Sequence, residues 1–136
     1  MGYQSKQIFV NLPVKDLNRS IDFFSKLGFD FNPQFTDENA TCMIIGENIY
    51  AMLLIEPFFK GFIKTEIADA TKSTEVLVGL SAASREEVDE LIRKVQAAGG
   101  KAYDPVDHGF MYSCSFQDLD GHIWELIYMD ESAVQG

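Results

Sequence analysis

One carboxylate, Glu125, lies within an otherwise apolar run near the C-terminus, residues 123–128. Side chains along a β-strand alternate between its two faces, which places Glu125 on the same face as Ile123 and Ile127. A buried carboxylate costs free energy unless it meets a cation, a metal ion, a hydrogen-bond donor or water. Glu125 is therefore a candidate functional residue. The alternative is a side chain that simply reaches water near a sheet edge.

A turn must position this strand. The preceding residues, Asp118, Leu119, Asp120 and Gly121, are typical of a tight turn, in which aspartate side chains bind local amides and glycine takes positive φ. β-favouring residues follow at once, so a strand is predicted over residues 122–128. Trp124, on the face opposite Glu125, is expected to pack in the core.

Composition limits the class of protein. The 136 residues are predicted to form one domain, residues 1–136, with a sizeable core. A net charge of −10 repels phosphate backbones and anionic lipids, so no nucleic-acid or membrane partner is expected. The longest apolar run, residues 49–55, is too short to cross a bilayer. Cys42 and Cys114 are predicted to be buried, reduced thiols in a cytoplasmic protein.

Hydrophobic periodicity switches between strand and helix in the same order twice, which predicts two βαβββ modules and an α+β fold. In the first module, residues 5–56, Asp16 is a good N-cap for a helix that Gly28 ends. In the second, residues 74–130, Ser84 and Glu87 form a capping box and Gly99 ends the helix. The predicted strands are residues 8–13, 29–36, 41–45 and 49–55, then 75–80, 101–103, 109–116 and 122–128.

Residues 57–73 connect the modules and are predicted to be either a linker or a flap over a site. They contain an aromatic cluster, Phe58, Phe59 and Phe62. This spacing favours one turn of helix packed at a subunit interface over a lid on a ligand.

Two pieces of sequence are specific enough to identify a family. Residues 13–24, PVKDLNRSIDFF, open the first helix, and residues 118–126, DLDGHIWEL, end the second module. Together with the repeated modules they resemble the vicinal oxygen chelate superfamily, which includes glyoxalase, extradiol dioxygenases, fosfomycin-resistance proteins and bleomycin-resistance proteins. The resemblance implies two curved sheets that form a cleft, and a homodimer. It does not fix the activity, because one fold hosts many functions.

Active members of the family commonly hold one divalent metal ion with ligands from the first and last strands of each module. The resemblance places Glu75 and Glu125 at two of these positions, as possible metal ligands and catalytic residues. It places Phe9 and Met52 at the other two, and neither side chain is a good ligand for a hard divalent ion. The cofactor is therefore left open: one divalent metal is possible, but the ligand set is incomplete.

The two histidines, His108 and His122, argue against a dioxygenase, which needs two histidines and a carboxylate around iron. His122 is expected to point away from Glu125. A metal-dependent lyase or isomerase of glyoxalase type, using Glu75 and Glu125, is the alternative function. If the chain is an enzyme, this chemistry is favoured over oxygenation.

The favoured function is binding of a small organic molecule in the cleft between the modules, without a complete metal site. An aromatic ring, a thioether and carboxylates suit a flat or cationic ligand. The predicted lining residues are Phe9, Asn11, Met52, Glu75, Tyr112 or its neighbour Ser113, and Glu125.

Overall fold

The computed structural model describes residues 2–130 and residue 132, so parts of both ends of the predicted domain, residues 1–136, lie outside the described residues. The chain divides into two compact units, residues 1–68 and 69–136, each with its own sheet. Both units combine a helix with a mixed sheet, which confirms the α+β class and the repeated βαβββ order. The boundary between the units lies within the predicted linker, residues 57–73.

The first unit has a four-stranded sheet of order β1-β4-β3-β2, in which β1 is parallel to β4 and the other pairs are antiparallel. Its elements are β1 (Ile8–Val14), α1 (Leu17–Leu27), β2 (Asp30–Asn32), a 3-10 turn (Pro33–Phe35), β3 (Ala40–Gly46), β4 (Ile49–Ile55) and α2 (Glu56–Lys60).

Helix α1 begins and ends where its sequence predicts. Asp16 is the N-cap, and its carboxylate accepts a hydrogen bond from the amide of Arg19 at 3.2 Å. Gly28 ends the helix with a φ of 106°, a left-handed conformation that glycine adopts without steric cost. Phe23 and Phe24 are buried on one side of α1, which lies against β3 and β4.

The two faces of the first sheet differ in burial. One face supplies core residues of the unit: Leu12, Val14, Met43, Ala51 and Leu53. The alternate residues of β1 and β4 are exposed or half-buried, except Leu54, which is buried. We call Phe9, Asn11, Tyr50 and Met52 the open face of the first unit.

The predicted strand over residues 29–36 is shorter in the structure, because β2 ends at Asn32. Pro33 has no amide hydrogen to donate to a sheet, and it begins the 3-10 turn instead. The Asn32 side chain accepts a hydrogen bond from the amide of Gln34 at 3.0 Å, which caps this turn. The remaining strands of the first unit lie within a residue of their predicted bounds, and β4 spans the predicted residues 49–55.

The second unit has a sheet of order β5-β9-β8-β6, and β7 also pairs with β8. β5 is parallel to β9, whereas β8 is antiparallel to β9. The elements are β5 (Leu77–Ser81), α3 (Arg85–Ala97), β6 (Lys101–Ala102), β7 (Val106–Asp107), β8 (Met111–Gln117) and β9 (Ile123–Met129).

Helix α3 carries the predicted capping box. The Ser84 hydroxyl accepts a hydrogen bond from the amide of Glu87 at 3.0 Å, and the Glu87 carboxylate accepts one from the amide of Ala83 at 2.9 Å. Three strands differ from prediction. The strand expected to start at Glu75 starts at Leu77, the strand expected to start at Gly109 starts at Met111, and the two-residue strand β7 was not predicted.

The predicted linker contains α2, which begins at Glu56 and includes Phe58 and Phe59. This confirms a helical turn at the start of the aromatic cluster, and Phe62 follows the helix with its ring edge to face with that of Phe58, 5.2 Å between centroids. Cys42 and Cys114 are both buried and free, as predicted. No helix in the described part of the chain is long and apolar enough to cross a membrane.

Candidate functional site

Glu125 lies in β9, the strand between β5 and β8. Its register partners are Gly79 on β5 and Ser115 on β8. Trp124 and Leu126 point to the other face and are buried with α3 nearby, whereas Glu125 is half-buried. We call the face that carries Glu125 the open face of the second unit. It also includes Leu77, Gly79, Ser81, Ser113, Ser115, Ile123 and Ile127.

The turn before β9 is organised by the buried carboxylate of Asp118. One oxygen accepts hydrogen bonds from the amides of Asp120 at 2.9 Å and His122 at 3.0 Å, as predicted for the turn. The other accepts a hydrogen bond from the indole Nε1 of Trp124 at 2.9 Å. Burial raises the pKa of Asp118, while the charge of His122 and the bond from Trp124 act to lower it. Asp118 thus fixes the start of β9 and, through it, the position of Glu125.

Gly121 completes this turn with a φ of 93°, as expected. A Cβ atom at this position would lie 2.7 Å from the amide nitrogen of Thr71 and 2.8 Å from the carbonyl carbon of Ala70. The segment at the start of the second unit therefore packs against the turn. Glycine is required here both for its backbone conformation and for this close approach.

The carboxylate of Glu125 has no hydrogen-bond donor and no cationic side chain as a partner among the described residues. Its neighbours across the sheet are a glycine and a small hydroxyl residue, Gly79 and Ser115, and its neighbours along β9 are Ile123 and Ile127. The chain thus places a half-buried carboxylate on this face with no partner among the described residues. Such a group is available to pair with a ligand.

Glu75, the second predicted carboxylate, does not lie beside Glu125 in the sheet. It is exposed at a bend before β5, and the residue paired with Glu125 is Gly79. Leu77 lies seven residues before the N-cap Ser84, just as Phe9 lies seven residues before the N-cap Asp16. Leu77 therefore has the place in the second unit that Phe9 has in the first.

The first unit repeats the same register with different side chains. Met52 pairs with Asn11, two residues after Phe9, and Glu125 pairs with Gly79, two residues after Leu77. Met52 consequently has the place in the first unit that Glu125 has in the second. Of the four positions occupied by Phe9, Leu77, Met52 and Glu125, only the last carries an oxygen ligand.

This donor set does not fit a divalent metal ion, since Phe9 and Leu77 cannot coordinate and a thioether suits soft metals. Among the described residues, no group of three or more His, Cys, Asp or Glu side chains is arranged to hold a metal. These residues are therefore assigned no metal-based chemistry.

The open face of the first unit is aromatic. The rings of Phe9 and Tyr50 stack with 5.2 Å between centroids and 15° between planes, and Phe9 is still 51% exposed. Asn11 donates a hydrogen bond to the carbonyl of Phe9 at 3.3 Å, and Met52 is half-buried. Tyr50 was not singled out from the sequence, although its position two residues before Met52 in a strand places both side chains on one face.

Tyr112 lies on the opposite face of the second sheet from Glu125, so the structure does not bring these two predicted residues together. Tyr112 pairs with Tyr128, and both residues are an odd number of positions from Ser115 and Glu125 in their strands, so they point to the other face. Its hydroxyl donates a hydrogen bond to Asp89 of α3 at 2.6 Å, which raises the pKa of Tyr112 to about 12. Its neighbour Ser113, the alternative from the sequence, lies on the open face.

Arg85 holds the chain before β8 against the start of α3. Its guanidinium binds both carboxylate oxygens of Asp107, at 2.6 and 3.1 Å, and the carbonyl of Gly109 at 2.8 Å. It also lies 5.0 Å from the ring centre of Tyr112. The hydrogen bond from Arg85 lowers the pKa of Asp107 to about 2. Tyr112 and its partners thus have a structural role on the helix side of the sheet.

Comparison with known proteins supports a family assignment. The family model of the bleomycin resistance protein-like N-terminal region matches residues 6–46. The hypothetical protein SA1046 from S. aureus has a solved structure with 31% sequence identity to this chain. The similarity covers 93% of this chain and 95% of that one, with a TM-score of 0.78. No curated protein matches the chain significantly.

More distant structures show the same fold. A genomically encoded fosfomycin resistance protein, FosX, from Listeria monocytogenes is 20% identical, with coverage of 93% of this chain and 94% of that chain and a TM-score of 0.67. A lactoylglutathione lyase from Agrobacterium tumefaciens is 16% identical, with coverage of 92% and 94% and a TM-score of 0.69. At these identities the likeness concerns the fold alone.

Proposed function

This chain belongs to the vicinal oxygen chelate superfamily, and we propose that it binds a small organic molecule bearing an ammonium or similar N–H donor group, without a metal ion. The observation that carries the proposal is the half-buried carboxylate of Glu125 on the open face of the second unit, which has no partner among the residues that the structure describes. Glu125 is the residue that pairs with the ligand's positive group.

The energetics favour a cation at this position. A hydrogen bond to a charged group contributes about 1.5–3 kcal/mol, and Glu125 lies half-buried between Ile123 and Ile127 on this face. Ser115, the register partner of Glu125 on β8, offers a hydroxyl that can accept a second N–H from the same group. The acidic chain, with a net charge of −10, also attracts cations in preference to anions.

The open face of the first unit offers contacts of another kind. The exposed ring of Phe9, stacked on Tyr50, and the thioether of Met52 suit planar or apolar parts of organic molecules. None of these side chains is charged, so recognition of charge is assigned to Glu125. Phe9 also occupies a position where a catalyst of this family would need a metal ligand.

The test compares phenethylamine with its uncharged analogue 2-phenylethanol by calorimetry on protein treated with EDTA. Glu125→Gln should weaken phenethylamine binding about tenfold to a hundredfold, which is the loss of about 1.5–3 kcal/mol. The same substitution should leave the affinity for 2-phenylethanol unchanged. Glu75→Gln is the matched control, because this carboxylate is exposed outside β5 and should have no effect. Equal binding of the two probes by the natural protein would contradict the proposal.

The competing function, a metal-dependent lyase or isomerase using Glu75 and Glu125, makes a different prediction. It requires stoichiometric divalent metal in the purified protein, lost in both Glu75→Gln and Glu125→Gln. Elemental analysis of the three proteins separates the two functions. The exposed position of Glu75 before β5 is the reason we favour the metal-free function.

We further propose that the chain forms a homodimer in the cytoplasm. Membership in the superfamily supports dimerisation, and two buried free cysteines suit a reducing compartment. Light scattering should give twice the 15.3 kDa mass of one chain.

A further inference from the structure

Gly79 is a glycine in the middle of a strand, where the backbone does not require it. The described glycines with positive φ are Gly28, Gly99, Gly109 and Gly121, and Gly79 is not among them. A glycine inside a strand weakens it, because it has no side chain to pack and more freedom to lose on folding. The conformation of β5 therefore gives no reason for glycine at this position.

Packing does not require it either. A Cβ atom built on Gly79 would meet one atom within 4 Å, the Cδ1 of Ile127 at 3.4 Å, which is an ordinary van der Waals contact. Gly121 differs sharply, because there the same atom would lie within 3 Å of backbone atoms. An alanine at position 79 would thus be compatible with the fold, and β-branched residues suit a strand better than glycine does.

The missing side chain has one evident consequence, which is space beside Glu125. Gly79 is the register partner of Glu125, and adjacent strands lie about 4.8 Å apart, so a side chain at position 79 would stand beside the side chain of Glu125 and in contact with Ile127. β5 is also an edge strand, so the space opens toward the side of the sheet. Leu77 and Ser81 flank it along β5, and Ile127 borders it on β9.

We propose that Gly79 determines which ammonium groups the site accepts, by admitting N-alkylated ammonium groups beside Glu125 that a side chain at position 79 would exclude. This inference rests on the proposed function of Glu125. The alkyl groups would contact Leu77 and Ile127, and the positive charge would pair with the carboxylate. The ligand class is thus a substituted amine, not only a primary one.

The experiment compares phenethylamine with N,N-dimethylphenethylamine, which keeps the positive charge and one N–H but adds two methyl groups. The natural protein should bind the two amines within about threefold of each other. Gly79→Val should keep phenethylamine binding within about threefold and weaken the dimethylated amine at least tenfold, because small steric differences in a pocket change affinity by about 10–200-fold. The affinity of Gly79→Ala for the dimethylated amine should lie between those of the natural protein and of Gly79→Val.

Thr74→Val is the control. It places a valine in the exposed segment before β5, away from the space beside Glu125, so it should not discriminate between the amines. The urea midpoint of Gly79→Val should equal or exceed that of the natural protein, which shows that the variant folds. The inference is overturned if Gly79→Val binds both amines as the natural protein does, or loses both equally. If neither amine binds the natural protein, the proposed function of Glu125 fails, and this inference fails with it.

Discussion

The hydrogen bond between Asp118 and Trp124 allows a quantitative test of how the second unit positions β9. Asp118 is 8% exposed and Trp124 is fully buried, so water cannot replace a lost partner at either group. In Asp118→Asn, the side-chain oxygen can accept either the turn amides or the indole N–H, but the new NH₂ group cannot accept the remaining donors. The substitution therefore places the new NH₂ group against a buried N–H donor, either the indole of Trp124 or the turn amides.

The expected change in the free energy of unfolding of Asp118→Asn combines two destabilising contributions and one stabilising contribution. Loss of a hydrogen bond to a charged group costs about 1.5–3 kcal/mol, and an unsatisfied buried donor costs about 1–3 kcal/mol. Removing a buried charge returns part of this, because burial disfavours the ionised form and raises the pKa of Asp118. We expect a net loss of about 2–4 kcal/mol in the free energy of unfolding, or roughly 10 °C in Tm.

The assay is urea denaturation followed by circular dichroism, with Asp104→Asn as a control at an exposed carboxylate. Trp124 is the single tryptophan of the chain, so its fluorescence reports in parallel on the loss of its hydrogen bond. A double-mutant cycle with Trp124→Phe isolates the pair, because Asp118→Asn should cost less once the indole donor is absent. A loss below about 0.5 kcal/mol in Asp118→Asn, or additive effects in the cycle, would refute this account.

Three further predictions concern the same unit. Gly121→Ala should lose at least about 2 kcal/mol in urea denaturation, because its positive φ strains any other residue and its Cβ would press on the backbone of Thr71; a midpoint like that of the natural protein would contradict this. The hydrogen bond to Asp89 raises the pKa of Tyr112 to about 12, so Tyr112 should contribute stability that is fully present below pH 10 and lost as the pH rises through 12. Phenolate absorbance at 295 nm should show one tyrosine that titrates near pH 12 in the natural protein and none in Tyr112→Phe. Persistence of this titration in the variant would count against the assignment. Ser84→Ala should cost about 1 kcal/mol through loss of the N-cap of α3, measured by thermal unfolding, with an unchanged Tm as the contrary result.

Local signals in the sequence were sufficient for the helices and for most strands. Asp16 and Ser84 cap their helices because a short polar side chain satisfies the first free amides, and this depends only on residues within one turn. The end of β2 at Asn32 was also locally encoded, since Pro33 cannot donate to a sheet. The alternation of side chains along β9 placed Glu125 and Trp124 on opposite faces without knowledge of any partner strand.

The candidate site depended on tertiary structure wherever two strands had to be aligned. The register of β5 against β9 gives Gly79, and not Glu75, the place beside Glu125. The pairing of β8 with β9 turns Tyr112 toward α3 and Ser113 toward the open face.

A shift of one residue in register exchanges the two faces of a strand, and β5 is separated from β9 by about forty residues of the chain. The sequence by itself therefore determined that Glu125 leaves the core. Only the paired strands decided that a glycine and a serine, with no cation or metal ligand, are its neighbours.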